Sequence, residues 1–275
     1  MTPDDALLVS QLCAARAGLR IDPEKAYLLE SRLAPVARRD GFGSIGDLLG
    51  ALRAKREERM IWAIVEAMTM GETSFFRDRA PFERFRDEVL PAVVRARGGG
   101  PVRIWSAACG SGQEIYSLAM LVDDQRAMLS GARIELFGSD LCERSLEKAQ
   151  SGLYTQFEVQ RGLPIRQLVA HFEKADDMWA LAPRIRQMVR WRRINLVGDL
   201  SALGQFEVIF CRYLLSSLVE PMRVRVLESL AVALSPDGYL FVGEGEAADQ
   251  LTPALQPVPG QPGLFSRNPS FSVAA

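Results

Sequence analysis

The chain has 275 residues, enough for one large domain or two small ones. Its 34 acidic and 33 basic residues leave a net charge of −1, which argues against a general nucleic-acid binder with a basic field. With 48% apolar residues the composition is that of a globular protein with a substantial core and speaks against disorder. The four cysteines (Cys13, Cys109, Cys142, Cys211) are scattered and form no C-x-x-C pair, the usage of reduced thiols. His171 is the only histidine, so a multi-histidine metal site is excluded, as is a Ser-His or Cys-His catalytic group built anywhere away from it. The acidic N-terminus lacks a signal-peptide layout, and no apolar run approaches the roughly 20 residues of a membrane helix. A cytoplasmic monomer, not inserted in a membrane, is expected.

Residues 1–68 have helical periodicity throughout. Leu7, Leu8, Leu12 and Ala15 share one face of a first helix that Gly18 ends. Asp22-Pro23-Glu24 reads as the start of a second helix through Tyr27, Leu28, Leu29, Leu33 and Val36. Ser44 caps a third through Leu48, Leu49 and Leu52, and a fourth runs from Glu57 to Met68. Residues 69–80 form a linker, and 81–275 a second domain opening with a helix over Pro81–Arg97.

The class changes after Gly98-Gly99-Gly100-Pro101. Val102–Ala108 reads as a buried strand and Gln113–Val122 as a helix, followed by a strand over Ile134–Ser139 ending at Asp140 and a helix over Glu143–Ala149. Phe206–Cys211 (strand), Pro221–Leu234 (helix) and Gly238–Gly243 (strand) continue the alternation, which predicts a parallel α/β core. Residues 151–196 interrupt it as an insertion. It holds a helix over Pro164–Phe172 and two segments, Met178–Leu181 and Met188–Ile194, expected to pair as a small antiparallel sheet.

The turn Ala108-Cys109-Gly110-Ser111-Gly112 sits between strand and helix, where glycines let a ligand approach backbone N–H groups. By itself it is also compatible with a plain tight turn. Asp140, ending the next strand, adds an acid that can bind both ribose hydroxyls. No third glycine stands in dinucleotide register and no Gly-Lys-Ser/Thr follows, so an adenosine ligand without a pyrophosphate fits better, S-adenosylmethionine among them.

Five segments in order resemble the chemotaxis receptor methyltransferase (CheR) family, and the similarity covers almost the entire chain. They are Gly71-Glu72-Thr73-Ser74-Phe75-Phe76-Arg77-Asp78, Trp105–Ser117, Ser139-Asp140-Leu141, Asn195-Leu196 and Phe210-Cys211-Arg212. The resemblance implies an all-α N-terminal domain followed by a Rossmann-like class I S-adenosylmethionine methyltransferase domain with a small antiparallel β insertion. It implies a protein-glutamate O-methyltransferase whose substrate is the cytoplasmic helical domain of a chemoreceptor and whose product is S-adenosyl-L-homocysteine. Carried onto matching positions, Gly71, Thr73, Arg77, Ala108, Glu114, Asp140, Asn195, Leu196, Tyr213 and Leu214 would border the cofactor. Glu114 would take its methionine amino end, Asp140 the ribose, and Asn195 with Leu196 the adenine region. Arg77 is the candidate catalytic residue, orienting the incoming carboxylate.

Three positions depart from the family pattern. Gly71 stands where asparagine is usual, Tyr213 replaces a cofactor-side asparagine, and Ser217 replaces an active-site tyrosine. These leave open a second reading, an S-adenosylmethionine-binding signalling adaptor with weak or no turnover. Two basic surfaces are candidates for meeting acidic receptor helices: Arg32, Arg38 and Arg39, and Arg184, Arg186, Arg190, Arg192 and Arg193 with Trp191. His171, beside Phe172, reads as a packed structural residue.

Overall fold

The computed structural model describes residues 1–69, 71–129 and 131–271; Met70 of the expected linker and residues 272–275 lie outside the described residues. The chain divides into two compact units, residues 1–71 with 215–223, and residues 72–214 with the chain from Val224 onward.

The first unit contains α1 (Pro3–Ala17), α2 (Ala26–Arg39), α3 (Ile45–Lys55) and α4 (Glu58–Thr69). A reciprocal cap starts α1: the Thr2 hydroxyl accepts from the Asp5 N–H at 3.2 Å and the Asp5 carboxylate accepts from the Thr2 N–H at 3.0 Å. Gly18, at φ 66°, ends it. Ser44 caps α3 by accepting from the Asp47 N–H at 3.1 Å. Leu29, Leu33, Leu48, Leu49, Ile64 and Val65 form the buried seam. α2 begins at Ala26, later than Asp22-Pro23-Glu24 suggests. The Asp22 carboxylate accepts from the Glu24 N–H at 3.0 Å, and this local turn outcompetes the helix. Residues 215–223 also belong here, with Arg20 donating its N–H to the Ser217 carbonyl at 2.7 Å. The first expected basic surface is partly committed: Arg32 donates to the Met68 carbonyl at 2.7 Å and Arg39 to Asp40 at 2.8 Å.

The second unit opens with α5 (Ala80–Arg84), a π-turn over Phe85–Val89 and α6 (Leu90–Arg97), one continuous helical segment. Then come β1 (Val102–Ala107), α7 (Gln113–Asp124), β2 (Ile134–Asp140), α8 (Glu143–Ser151), β3 (Leu153–Thr155), α9 (Gln156–Gln160) and α10 (Ile165–His171). β4 (Phe172–Ala175), β5 (Met178–Leu181), α11 (Pro183–Arg186), β6 (Val189–Arg193) and β7 (Phe206–Phe210) follow. α12 (Glu220–Ala233), whose first residues lie in the first unit, leads into β8 (Leu234–Phe241), β9 (Leu255–Pro257) and β10 (Leu264–Arg267). The main sheet has the order β6-β2-β1-β7-β8-β10-β9. Its first five strands are parallel, β10 runs antiparallel to β8, and β9 runs antiparallel to β10 and so along the first five. Strand order reverses between β1 and β7, so the carboxyl ends of these strands form the crevice where open α/β sheets place ligands. β7 is buried at every position and Phe210 stacks on Phe241 with ring centroids 4.2 Å apart.

The insertion differs from expectation. Met188–Ile194 does not pair with Met178–Leu181; Val189–Arg193 is a parallel edge strand of the main sheet, registered from Leu136↔Val189 to Asp140↔Arg193. The small sheet is instead β3-β5-β4, formed by Leu153–Thr155 and Phe172–Ala175 flanking β5. The physical cause is Trp191. A Cβ on Gly138 would come 2.6 Å from its ring, and one on Gly112 3.1 Å, so both glycines make room for the indole against α7 and β2. Trp191 is therefore a packing residue, not part of a contact surface. Arg186 donates to the Ser151 carbonyl at 2.9 Å and Arg193 to the Leu141 carbonyl at 3.0 Å, while Arg190 and Arg192 stay exposed on the opposite side of the strand from Trp191. We expect Gly138→Ala to destabilise the protein by about 1–3 kcal/mol in urea unfolding, because the ring has little room to yield; unchanged stability would contradict this packing.

Candidate functional site

The β1–α7 turn is held from three sides. Ala108, Gly110 and Gly112 all have left-handed backbones, with φ of 56°, 56° and 90°. Left-handed residues alternating through a turn draw N–H groups together into an anion- and ligand-accepting concavity. The Gly110 N–H donates to one Asp140 oxygen at 2.8 Å and the Cys142 N–H to the other at 2.8 Å. Burial raises the Asp140 carboxyl above its ordinary value, and these N–H bonds oppose the rise. Tyr154 donates its hydroxyl to the Ser111 carbonyl at 2.8 Å. Thr73 packs over the turn, its methyl 3.2 Å from where a Cβ on Gly110 would stand.

Residues 72–79 come next to α7. The Phe76 N–H donates to the Ser117 hydroxyl at 3.0 Å, itself bonded to the Gln113 carbonyl. Phe76, Asp78 and Arg79 have φ of 47°, 64° and 38°, a run of unfavourable backbone that only its surroundings can hold.

Arg212 ties this segment to the helix. Its side chain is 1% exposed and donates to Glu114 at 3.1 Å, to Asp78 at 2.6 Å and to the Arg77 carbonyl at 3.0 Å. Glu114, in the first turn of α7, also accepts from the Ser106 hydroxyl at 2.9 Å. Burial raises the Glu114 carboxyl above its ordinary value; the Arg212 charge and the Ser106 hydroxyl pull it down. The neighbouring Cys109 and Cys211 thiols are pushed well up by burial, so neither is a thiolate nucleophile.

Arg77 is placed differently from Arg212. It is half-buried, donates to the Glu72 carbonyl at 3.0 Å, and lies over the Tyr213 ring at 3.5 Å from the centroid. It makes no ion pair among the described residues, and its charge favours the ionised forms of the nearby Glu72 and Glu114 carboxyls. Tyr213 has φ 62°, donates its hydroxyl to Asp78, and donates its N–H to Glu246 at 2.8 Å. Gly243 is needed beside it, because a Cβ there would come 2.8 Å from the Tyr213 nitrogen.

Of the residues named from sequence, the second unit thus gathers Thr73, Ala108 and Asp140 at one end of the crevice. Arg77, Glu114 and Tyr213 gather around Arg212, with Leu214 next in the chain. Asn195 and Leu196 follow β6 directly after Ile194, whose N–H donates to the Asp140 carbonyl at 3.0 Å. Leu196 is buried, and Asn195 accepts from the Val197 N–H at 3.4 Å. Gly71 and Ser217 belong to the first unit. His171 is buried between Asp124 (3.3 Å) and Arg184 (3.1 Å) and, among the described residues, makes no hydrogen bond to the crevice. Sequence reading assigned no role to Arg212, Asp78 or Glu246. The signal for Arg212 was present: an arginine directly after a strand as apolar as Phe206–Cys211 must find a buried partner.

Comparison with known proteins accords with this geometry. Residues 5–69 match the CheR methyltransferase all-alpha domain and residues 71–264 the CheR methyltransferase SAM binding domain. The chain is 36% identical over 91% of its length to "Chemotaxis protein methyltransferase 1" of Pseudomonas aeruginosa, covering 92% of that protein. It is 34% identical to "Chemotaxis protein methyltransferase Cher2" of Pseudomonas putida, over 90% of this chain and 92% of that one. For the "Chemotaxis protein methyltransferase" of Vibrio parahaemolyticus the values are 33%, 93% and 94%. With a left-handed glycine turn beside Asp140 on a class I methyltransferase sheet, these matches show that the chain belongs to the CheR family of S-adenosylmethionine-dependent chemotaxis methyltransferases.

Proposed function

We propose that this protein methylates glutamate side chains on the cytoplasmic helices of a chemoreceptor, acting as a cytoplasmic monomer. The observation that carries the reading is Arg77: a half-buried guanidinium without an ion pair among the described residues, fixed next to the crevice at the carboxyl ends of β1 and β7. A site built to receive a carboxylate needs such a group.

The residues present fit the cofactor. Each Asp140 oxygen accepts one backbone N–H and keeps further lone pairs for the ribose hydroxyls; Glu114 offers its carboxylate to the amino end. Asn195 and Leu196 would flank the adenine region, and Thr73, Ala108 and Leu214 would complete the border within the second unit. S-adenosylmethionine supplies an electrophilic methyl on a sulfonium. A substrate glutamate, with an ordinary pKa of roughly 4.3, is already ionised near neutral pH. No general base is needed. Arg77 would orient the carboxylate with one oxygen toward that methyl. Anion and cation neutralise one another along the way, so a site poor in water favours the step.

The test is incubation with S-adenosylmethionine and a receptor cytoplasmic fragment from the same organism, followed by peptide mass spectrometry. Added methyl on glutamate is expected. Methyl on lysine or glutamine, or on no residue while the cofactor product still binds, would overturn the reading.

A further inference from the structure

We propose that Tyr213 is the positioning residue for Arg77, acting through the face of its ring and not through a contact with the cofactor. This deepens the glutamate reading and rests on it. The Arg77 guanidinium carbon lies 3.5 Å from the Tyr213 centroid, close enough for direct stacking. A long arginine on a short segment has many rotamers, and the hydrogen bond to the Glu72 carbonyl at 3.0 Å fixes only one nitrogen. The ring supplies the second constraint.

The ring itself is held at both ends. Its hydroxyl donates to Asp78, and Asp78 is anchored by Arg212 at 2.6 Å, a side chain 1% exposed. Its backbone N–H is held by Glu246 at 2.8 Å, in a left-handed conformation of φ 62° that an aromatic residue seldom adopts. The second Arg212 contact runs to Glu114 at 3.1 Å. The chain of contacts from α7 through Arg212, Asp78 and Tyr213 to Arg77 therefore sets the guanidinium against the residue expected to hold the cofactor's amino end. Burial and the Asp78 bond raise the phenol above its ordinary value, so the hydroxyl stays a donor throughout the neutral range.

The experiment compares Tyr213→Phe, Tyr213→Leu and Tyr213→Gly with wild type. It measures the Kd for S-adenosylhomocysteine by calorimetry, and kcat and KM with a receptor fragment. Phe keeps the ring and should retain kcat within about 3-fold. Leu removes it and should lower kcat by about 10- to 30-fold, the range of a partly desolvated cation–π contact. The Kd for S-adenosylhomocysteine should stay within about 3-fold, since Asp140 and Glu114 keep their own partners in these variants. Gly suits φ 62° and should repeat the Leu loss in a protein that still unfolds cooperatively, which guards against misfolding of Leu. A loss confined to S-adenosylhomocysteine affinity would show that the ring touches the cofactor and would overturn the proposal. So would a Phe variant as slow as Leu, or a Leu variant as fast as wild type. A wild-type protein that binds S-adenosylhomocysteine yet transfers no methyl would overturn the glutamate reading, and this inference with it.

Discussion

Arg77→Ala should bind S-adenosylhomocysteine within a few-fold of wild type and transfer methyl to a receptor fragment about 100- to 1,000-fold more slowly. The two quantities separate because Arg77 donates to the Glu72 carbonyl and stacks on Tyr213, while Asp140, Glu114 and the β1–α7 turn are held by other groups. A charge-assisted hydrogen bond contributes about 1.5–3 kcal/mol, and losing the orientation of the incoming carboxylate adds about 1 kcal/mol. Arg77→Lys retains the charge without the planar fork and should fall between the two. Equal losses in affinity and turnover would instead make Arg77 a cofactor-binding group.

Arg212→Met should be the more damaging change to the protein itself. It leaves Glu114 and Asp78 without their shared cation, and Glu114 is 14% exposed. Breaking such a buried pair from one side costs about 3–5 kcal/mol; discounting for Asp78, a third exposed, about 2–4 kcal/mol remains, or on the order of 10 °C in Tm. The loss should depend on pH in a definite sense. Burial already raises the Glu114 carboxyl above 4.5, so the folded state binds that proton more tightly than the unfolded chain does. Stability from this group is complete below 4.5 and is lost as pH rises through the folded value. Arg212 pulls that value down; without it the folded value climbs and the window of loss extends upward. Urea unfolding at about pH 5 and pH 8 should show a larger Arg212→Met deficit at the higher pH. Adding Glu114→Gln should remove most of the difference. A deficit equal at both pH values would mean that Glu114 is not the group Arg212 neutralises.

The main architecture was legible because its physics is local. A buried strand, a glycine turn, a helix and a strand ending in an acid specify a βαβ ligand crevice, and β1, α7 and β2 lie within a few residues of where the pattern puts them. Ser44 and Gly18 marked helix ends by chemistry that hardly depends on the rest of the fold. Val189–Arg193 was misassigned because its alternation of apolar and basic residues suits any half-exposed strand. Only the pocket left by Gly138 and Gly112 for Trp191 decides which sheet it joins. Leu153–Thr155 and Phe172–Ala175 are too short to signal strands by themselves; pairing on either side of β5 makes them so. Within the site, Asp140 and Glu114 were visible as acids at a strand end and a helix start. The partnership of Arg212 with Glu114 and Asp78 joins residues 98 and 134 positions apart, so sequence shows the need for a partner but not the pairing.

The most direct test of the account is transfer of a labelled methyl group from S-adenosylmethionine to a receptor cytoplasmic fragment, with the label then released by mild base. Carboxyl methyl esters hydrolyse to volatile methanol, whereas methyl groups on nitrogen do not. The account predicts base-labile label on the fragment with the wild-type protein and almost none with Arg77→Ala. Base-stable label, or no label from a protein that binds S-adenosylhomocysteine, would contradict it.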